Sequence, residues 1–211
     1  MRRAILCVVV DLSRVRAAMA AYEPNLIDEK GLDHAAVAMV LRPAAPAPEV
    51  LLIERARRAG DPWSGHMAFP GGRVERSDES LRHAAERETF EEVGIDLAGA
   101  ELLGRLDDLQ GRHAGKPVGL VVSAFVYHVR EPAPIAPSPE VELALWIPVT
   151  DLADPSRHVD YRYALAGGAR YPGIVVGDPE RHVVWGLTYR FVEIFFAAVE
   201  RPLPNRWQGI V

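Results

Sequence analysis

A chain of 211 residues, 49% hydrophobic and 25% charged, has room for one well-buried core with short extensions. Its net charge of −5 argues against a general nucleic-acid surface, Cys7 as the sole cysteine excludes an internal disulfide framework, and no apolar run is long enough to span a bilayer. What remains is a protein of a reducing, cytoplasmic setting, without nucleic-acid polymer or membrane partners, that can meet a small anionic substrate through a local basic pocket.

Met1-Arg2-Arg3 followed by Ala4 to Val10 resembles the start of a secretory signal, but the run ends at Asp11 without a small-residue cleavage site, so it is expected to belong to the fold. Asp11 to Tyr22 has helical spacing at Val15, Ala18, Met19 and Tyr22, and Pro24 closes it. Ala35–Leu41 and Val50–Ile53 are apolar runs flanking the proline-rich Pro43 to Pro48, which predicts two antiparallel strands joined by a loop. Glu54 to Met67, with Gly60, Pro62 and Gly65, reads as a basic loop carrying Arg55, Arg57 and Arg58. Those guanidinium groups either balance nearby acid in solvent or capture phosphate oxygens, which their planar forks match.

Next, Pro70-Gly71-Gly72 predicts a turn and leads into an acidic helix that Gly94 stops. At ~100° per residue, Glu88, Glu91 and Glu92 fall within roughly one third of the helix circumference. The same stripe one turn earlier carries Leu81, Ala84 and Ala85, so an apolar, core-facing stripe continues as three carboxylates. Two like charges ~6 Å apart repel by roughly 3 kcal/mol at an effective dielectric of ~20, against less than ~1 kcal/mol in water. Either the carboxylates splay into solvent, or a hard divalent cation with oxygen ligands sits among them.

Leu102–Leu106 and Val118–Val129 are strand-like, and the polar stretch between them, Asp107 to Lys116 with His113, is expected to be a loop able to carry substrate contacts. Pro132 to Pro139 is a connector, and Glu140–Ile147 alternates as a strand with one apolar face. Tyr161–Ala164 and Ile174–Val176 flank Gly167-Gly168 as a hairpin. Val183–Val199 predicts a long apolar helix ended by Pro202 and Pro204. The sum is an α/β chain of the α+β type, a mixed sheet flanked by helices.

Arg87-Glu88-Thr89-Phe90-Glu91-Glu92-Val93-Gly94-Ile95, with Gly72 upstream, resembles the signature box of the Nudix hydrolases. Thr89 stands at an aliphatic position of that box, Asp78 stands where a glutamate is expected, and eight residues rather than seven separate Asp78 from Arg87. With Phe69-Pro70-Gly71-Gly72 in front, the box is similar to that of the coenzyme A diphosphatase branch. Leu51 to Ala56, Gly65 to Gly72, Leu103 to Asp107, Glu140-Val141 and Trp185 to Thr188 also resemble stretches of those enzymes. Asp61 stands where that branch's upstream motif expects an arginine, a place Arg57 or Arg58 can fill.

The resemblance implies a Nudix-like α/β/α sandwich in a single domain, 1–211, with 1–33 as an N-terminal extension and 201–211 as a C-terminal tail; both are candidate homodimer elements. It implies hydrolysis of a diphosphate linkage, first of coenzyme A or acyl-coenzyme A to 3′,5′-ADP and (acyl-)4′-phosphopantetheine. The alternatives are another nucleoside-diphosphate derivative, such as a dinucleotide or nucleotide sugar, and a nucleotide-binding module without turnover. Mg²⁺ or Mn²⁺ is expected on Glu88, Glu91, Glu92 and the Gly72 carbonyl. Arg87 is expected to hold Glu91, with Asp78 orienting Arg87 from the other side. The water-activating base is Glu91, Glu88 or Glu140, and Arg55, Arg57 and Arg58 are the candidate phosphate contacts.

Overall fold

A computed structural model of the protein describes residues 10–29, 31–58, 63–113, 116–163 and 168–207, with the side chains of 112, 113 and 116–118 excepted. The segment before Val10, Lys30 and Asp61 lie outside the described residues, as does the side chain of His113. The chain runs α1 (Leu12–Ala21), β1 (Asp33–Arg42), β2 (Glu49–Arg55), β3 (Met67–Ala68), β4 (Gly71–Arg73), α2 (Leu81–Val93), β5 (Glu101–Arg105), β6 (Leu109–His113) and β7 (Lys116–His128). It continues through β8 (Val141–Pro148), the single turn α3 (Val149–Leu152), a 3₁₀ turn at Pro155–Arg157, β9 (His158–Tyr163), β10 (Ala169–Val175), β11 (Val183–Trp185) and α4 (Gly186–Ala198).

Strand β1 organises the sheet. It pairs in parallel with β7 from Asp33↔Leu120 to Leu41↔His128, and its other edge is shared between β2 (Leu41↔Val50) and β4 (Ala36↔Gly72). β2 carries β3 and β8, and β7 carries β5 and β6, giving a mixed eight-stranded sheet. Successive β1 side chains point to opposite faces. Ala36, Ala38 and Val40 pack with Ala84, Ala85 and Val93 of α2. Ala35, Met39 and Leu41 share the second core with Val15 and Met19 of α1 and with Phe191, Phe195 and Phe196 of α4. At ~1.5–3 kcal/mol for each large side chain buried, these two cores clamp the sheet between helices, and α1 packs into one of them through Val15 and Met19.

Helix α2 begins where Ser80 accepts a hydrogen bond from the His83 N–H at 3.1 Å and ends where Gly94 adopts φ +73° with its N–H donating to the Phe90 carbonyl at 2.9 Å. Thr89, at an aliphatic position of the box, is fully buried, and its hydroxyl donates to the Ala85 carbonyl at 2.7 Å. On the flank facing β7, Glu86 accepts from the buried Tyr127 hydroxyl at 2.8 Å and from Arg82 at 2.7 Å.

Three elements differ from the sequence expectation. Asp107 to Lys116 is not an open loop: Leu109–His113 pairs with β7 as a hairpin strand. The helix expected over Val183–Val199 starts three residues late, because Val183–Trp185 pairs with β10 and Gly186, at φ +63°, turns the chain into α4. The third is Gly71-Gly72, which opens strand β4 instead of forming a turn: Gly71, at φ +149°, sits where a Cβ would run into the Ala36 carbonyl and Val37. The expected hairpin around Gly167-Gly168 is present as β9 and β10, with β11 as its third strand.

The β10–β11 connection is tied to the main sheet by a buried carboxylate. Glu54 of β2 is fully buried, accepts from Arg181 at 3.0 and 3.1 Å, and lies 3.3 Å from His182 Nε2. The tail folds back on its own chain, with Arg206 on Asp160 and the Trp207 indole N–H on Glu193, both at 2.7 Å. Among the described residues no helix is long and apolar enough to cross a membrane. Gly94→Ala is expected to lower stability by about 1–2 kcal/mol, the cost of a left-handed backbone with a Cβ. Urea denaturation should show a lower midpoint at unchanged slope.

Candidate active site

The site is built where β4 presses on α2. A Cβ on Gly72 would land on the Glu88 carboxylate, and the Gly71 N–H donates to Glu92 Oε2 at 2.8 Å. Only glycine lets the strand backbone come this close to the helix.

Arg87 joins the acids. Its Nε and Nη2 donate to the two oxygens of Asp78, each at 2.9 Å, while Nη1 donates to Glu88 Oε1 and Glu91 Oε2, each at 3.0 Å. Nη2 also reaches the Arg73 carbonyl at 3.2 Å, which ties the guanidinium to β4. Asp78 has no exposed side-chain surface and also accepts from the Glu75 N–H at 2.8 Å. The Arg87 hydrogen bonds hold its carboxyl below the usual range. The longer spacing between Asp78 and Arg87 thus closes a two-pronged pair of the strong, charge-assisted kind.

The acidic stripe resolves three ways. The Glu91 side chain is 56% exposed and leans to Arg87 from solvent. Glu88 is half-buried, and burial pushes its carboxyl up against the opposing pull of Arg87. Glu92 is buried, and burial pushes it up to about 7, with the Gly71 N–H and the Arg55 charge pulling the other way. The charge of Glu140 is felt at both Glu88 and Glu92, so it belongs to the same acidic group.

Of the three arginines singled out upstream, Arg58 is paired with Glu140 at 3.1 Å. Arg55 lies within electrostatic reach of Glu92. Arg57 lies over Gly65, its Nε 3.5 Å from the position of a Cβ there. Opposite α2, the strand Gly71–Arg73 also walls a cavity of about 340 Å³ whose lining includes Arg55, His66, Trp185 and Leu187. Neither this cavity nor the buried Glu54 pair was readable from spacing: Glu54 meets Arg181, 127 positions away, and Trp185 to Thr188 drew notice only through the resemblance.

The donor set of Glu88, Glu91, Glu92 and the Gly72 carbonyl is all oxygen, clustered, and short of positive charge, which fits a hard divalent ion. Among the described residues, no three His, Cys, Asp or Glu side chains close on one point as they stand, since Glu88 and Glu91 face Arg87 and Glu92 faces Gly71.

Residues 32–166 match the NUDIX domain family. The chain belongs to the Nudix family. An uncharacterized Nudix hydrolase, NudL, of Yersinia enterocolitica is 30% identical over 158 residues, 74% of this chain and 76% of that protein. The uncharacterized protein C14C4.10c of Schizosaccharomyces pombe is 42% identical over 121 residues, 54% of this chain but 36% of its own length. Against NudL of Citrobacter koseri the match, 39% identical, spans 44% of this chain and 48% of that protein, so several curated relatives are matched over half their length or less. A MutT/nudix family protein from Enterococcus faecalis shares the fold, with a TM-score of 0.55 at 20% identity over 90% of this chain and 70% of that one.

Asp78→Ala is expected to cost about 3 kcal/mol, the low end for breaking a buried pair, since Arg87 keeps Glu88 and Glu91. Because the Asp78 carboxyl is lowered in the folded state, its contribution is present above the ordinary aspartate value of about 4 and is lost as pH falls below it. Urea curves of wild type and Asp78→Asn should therefore converge on going from neutral to acid pH.

Proposed function

We propose that the protein is a metal-dependent hydrolase of diphosphate linkages, with coenzyme A or acyl-coenzyme A as its first substrate class. The observation that carries the proposal is the joint of β4 and α2, where Gly71 and Gly72 bring backbone against Glu92 and Glu88 while Arg87, anchored on Asp78, holds Glu88 and Glu91. Support for the coenzyme A branch comes from Phe69-Pro70-Gly71-Gly72 and the lengthened spacing from Asp78 to Arg87.

Glu88, Glu91, Glu92 and the Gly72 carbonyl would hold Mg²⁺ or Mn²⁺, which when bound screens the substrate's charge and stabilises the charge that water attack adds to phosphoryl oxygens. The chain's own groups prepare the rest. Arg87 is a positioning residue: it holds Glu88 and Glu91 apart from Asp78 and against β4. The Gly71 N–H occupies one oxygen of Glu92 and leaves the other for binding. Glu91 is the first candidate to take the proton from the attacking water, because its side chain is open to solvent while Glu92 is buried. Glu88 and Glu140 are the other two. Arg58, now on Glu140, would exchange that carboxylate for a substrate phosphate, with Arg55 and Arg57 beside it.

A second reading has its own support. Asp61, acidic where the branch's upstream motif expects an arginine, favours another nucleoside-diphosphate derivative. Incubation with coenzyme A and Mg²⁺ or Mn²⁺ is expected to yield 3′,5′-ADP and 4′-phosphopantetheine, and EDTA to stop it. If neither product forms while a dinucleotide or nucleotide sugar is cleaved, the second reading holds; binding of metal and nucleotide without cleavage of any would leave a binding module. Glu92→Gln is expected to lower kcat by about 100-fold or more, beyond the effect of losing an outer partner of a ligand. Its Tm should hold, because the amide oxygen can keep the Gly71 bond without a buried charge.

A further inference from the structure

Glu54, near the end of β2, is fully buried, and its charge is met from the β10–β11 connection. Arg181 Nη2 donates to both of its oxygens, at 3.1 and 3.0 Å. His182 Nδ1 accepts from the Asp178 N–H at 2.9 Å, which leaves the proton of the neutral ring on Nε2, the atom 3.3 Å from Glu54. A Cβ on Gly177 would land on the His182 ring, so glycine makes room for it there. This connection lies beyond the Nudix match, which ends at residue 166.

Stability does not account for the arrangement. Apolar side chains of similar volume match or exceed a buried ion pair, whereas removing one partner alone is strongly destabilising. What the charges add is direction, since a carboxylate that takes two bonds from a guanidinium fixes where that group stands.

What Glu54 holds in place is the root of the arginine loop. It pairs across the ladder with Met67 of β3. One residue further, the Arg55 N–H donates to the His66 carbonyl at 3.1 Å, and the Arg55 carbonyl accepts from the Gly65 N–H at 3.0 Å. The chain that leaves through Arg57 and Arg58 therefore returns to the same point. The His66 ring ties this root to the three-stranded sheet a second time, edge-on to Trp185 of β11 at 4.8 Å and to Tyr163 of β9 at 5.7 Å between centroids.

We propose that Glu54 is a positioning residue for phosphate capture: clamped by Arg181 and His182, it fixes the loop root so that Arg55, Arg57 and Arg58 are set before a diphosphate arrives. Groups held in place beforehand lose less freedom on binding. Glu54 acts through Arg55 and the loop, not on the reacting atoms. The role in capture rests on the diphosphate reading above, but the clamp can be tested without turnover.

The probe is α,β-methylene-ADP with Mg²⁺, a nucleoside diphosphate whose carbon bridge water cannot cleave. Arg181→Met leaves the buried carboxylate uncompensated and is expected to lower the urea midpoint. The double variant Glu54→Met with Arg181→Met removes both charges and should regain the midpoint, yet bind the probe about tenfold or more weaker than wild type. In the same variant, amide exchange at Arg55 and Gly65 is expected to quicken while that of α2 holds. With a diphosphate that the enzyme cleaves, KM should rise by a similar factor with little change in kcat. Should the double variant not fold or not regain the midpoint, Glu54→Gln, which keeps the shape and an accepting oxygen without the charge, takes its place.

Wild-type affinity in the variant, or unchanged exchange at Arg55 and Gly65, overturns the clamp and leaves the diphosphate reading standing. So does an affinity that is lost in Arg181→Met and returns with the midpoint in the double variant, the mark of a merely structural pair. Quickened exchange in a protein that neither binds the probe nor cleaves a diphosphate supports the clamp and overturns the substrate.

Discussion

A strand made of two glycines lies against helix α2 with no side chain between them, and the site depends on that close approach. Gly72 leaves room for the Glu88 carboxylate, and the Gly71 N–H, which in an ordinary edge strand would face water, is turned on Glu92. The approach has requirements on both sides. Gly71 must hold φ +149° against β1, and α2 must present alanines, Ala84 and Ala85, where it meets Ala36 and Ala38. Larger residues at any of these places would lift the helix off the strand.

The acids gathered by this approach are not neutralised in a one-to-one way. Arg87 serves three carboxylates, its two-pronged pair with Asp78 taking the buried side and Glu88 and Glu91 sharing the third nitrogen. Glu92 accepts from the Gly71 N–H and feels the Arg55 charge, yet burial still raises its carboxyl to about 7. Such an excess of oxygen donors over positive charge is the electrostatic form of a cation-binding site, and it stands on a helix whose other half is ordinary apolar packing.

Much of this was legible in the residues. The change from Leu81, Ala84 and Ala85 to glutamates along one stripe, the glycine stop and the absence of Pro within the helix located α2 correctly, because helix period and caps are local properties. The apolar runs of β1, β2 and β7 were legible for the same reason. Other parts were hidden. Leu109 to His113 is polar and glycine-bearing, and becomes a strand only because β7 offers it an edge. Val183 and Val184 continue an apolar run into α4, yet pair with β10 instead; Gly186 was the local mark of the break. The Gly71-Gly72 pair carries the same residues as a turn, and only the presence of β1 and α2 on either side makes it a strand. Glu54 could not be recognised as a buried anchor, since its partners Arg181 and His182 are distant in sequence and pairing at that range leaves no periodic trace.

The hydrogen bond from Tyr127 to Glu86 gains significance beside the one from Gly71 to Glu92. They grip α2 on different flanks, one from β7 and one from β4, so the helix cannot roll about its own axis without breaking one or the other. A roll of ~10° would carry a side-chain end ~5–6 Å from the axis through about 1 Å. Displacements of that size at a reacting centre cost on the order of 100-fold in rate. The tyrosine, on the β7 flank of the helix, acts as an angular stop for the row of carboxylates.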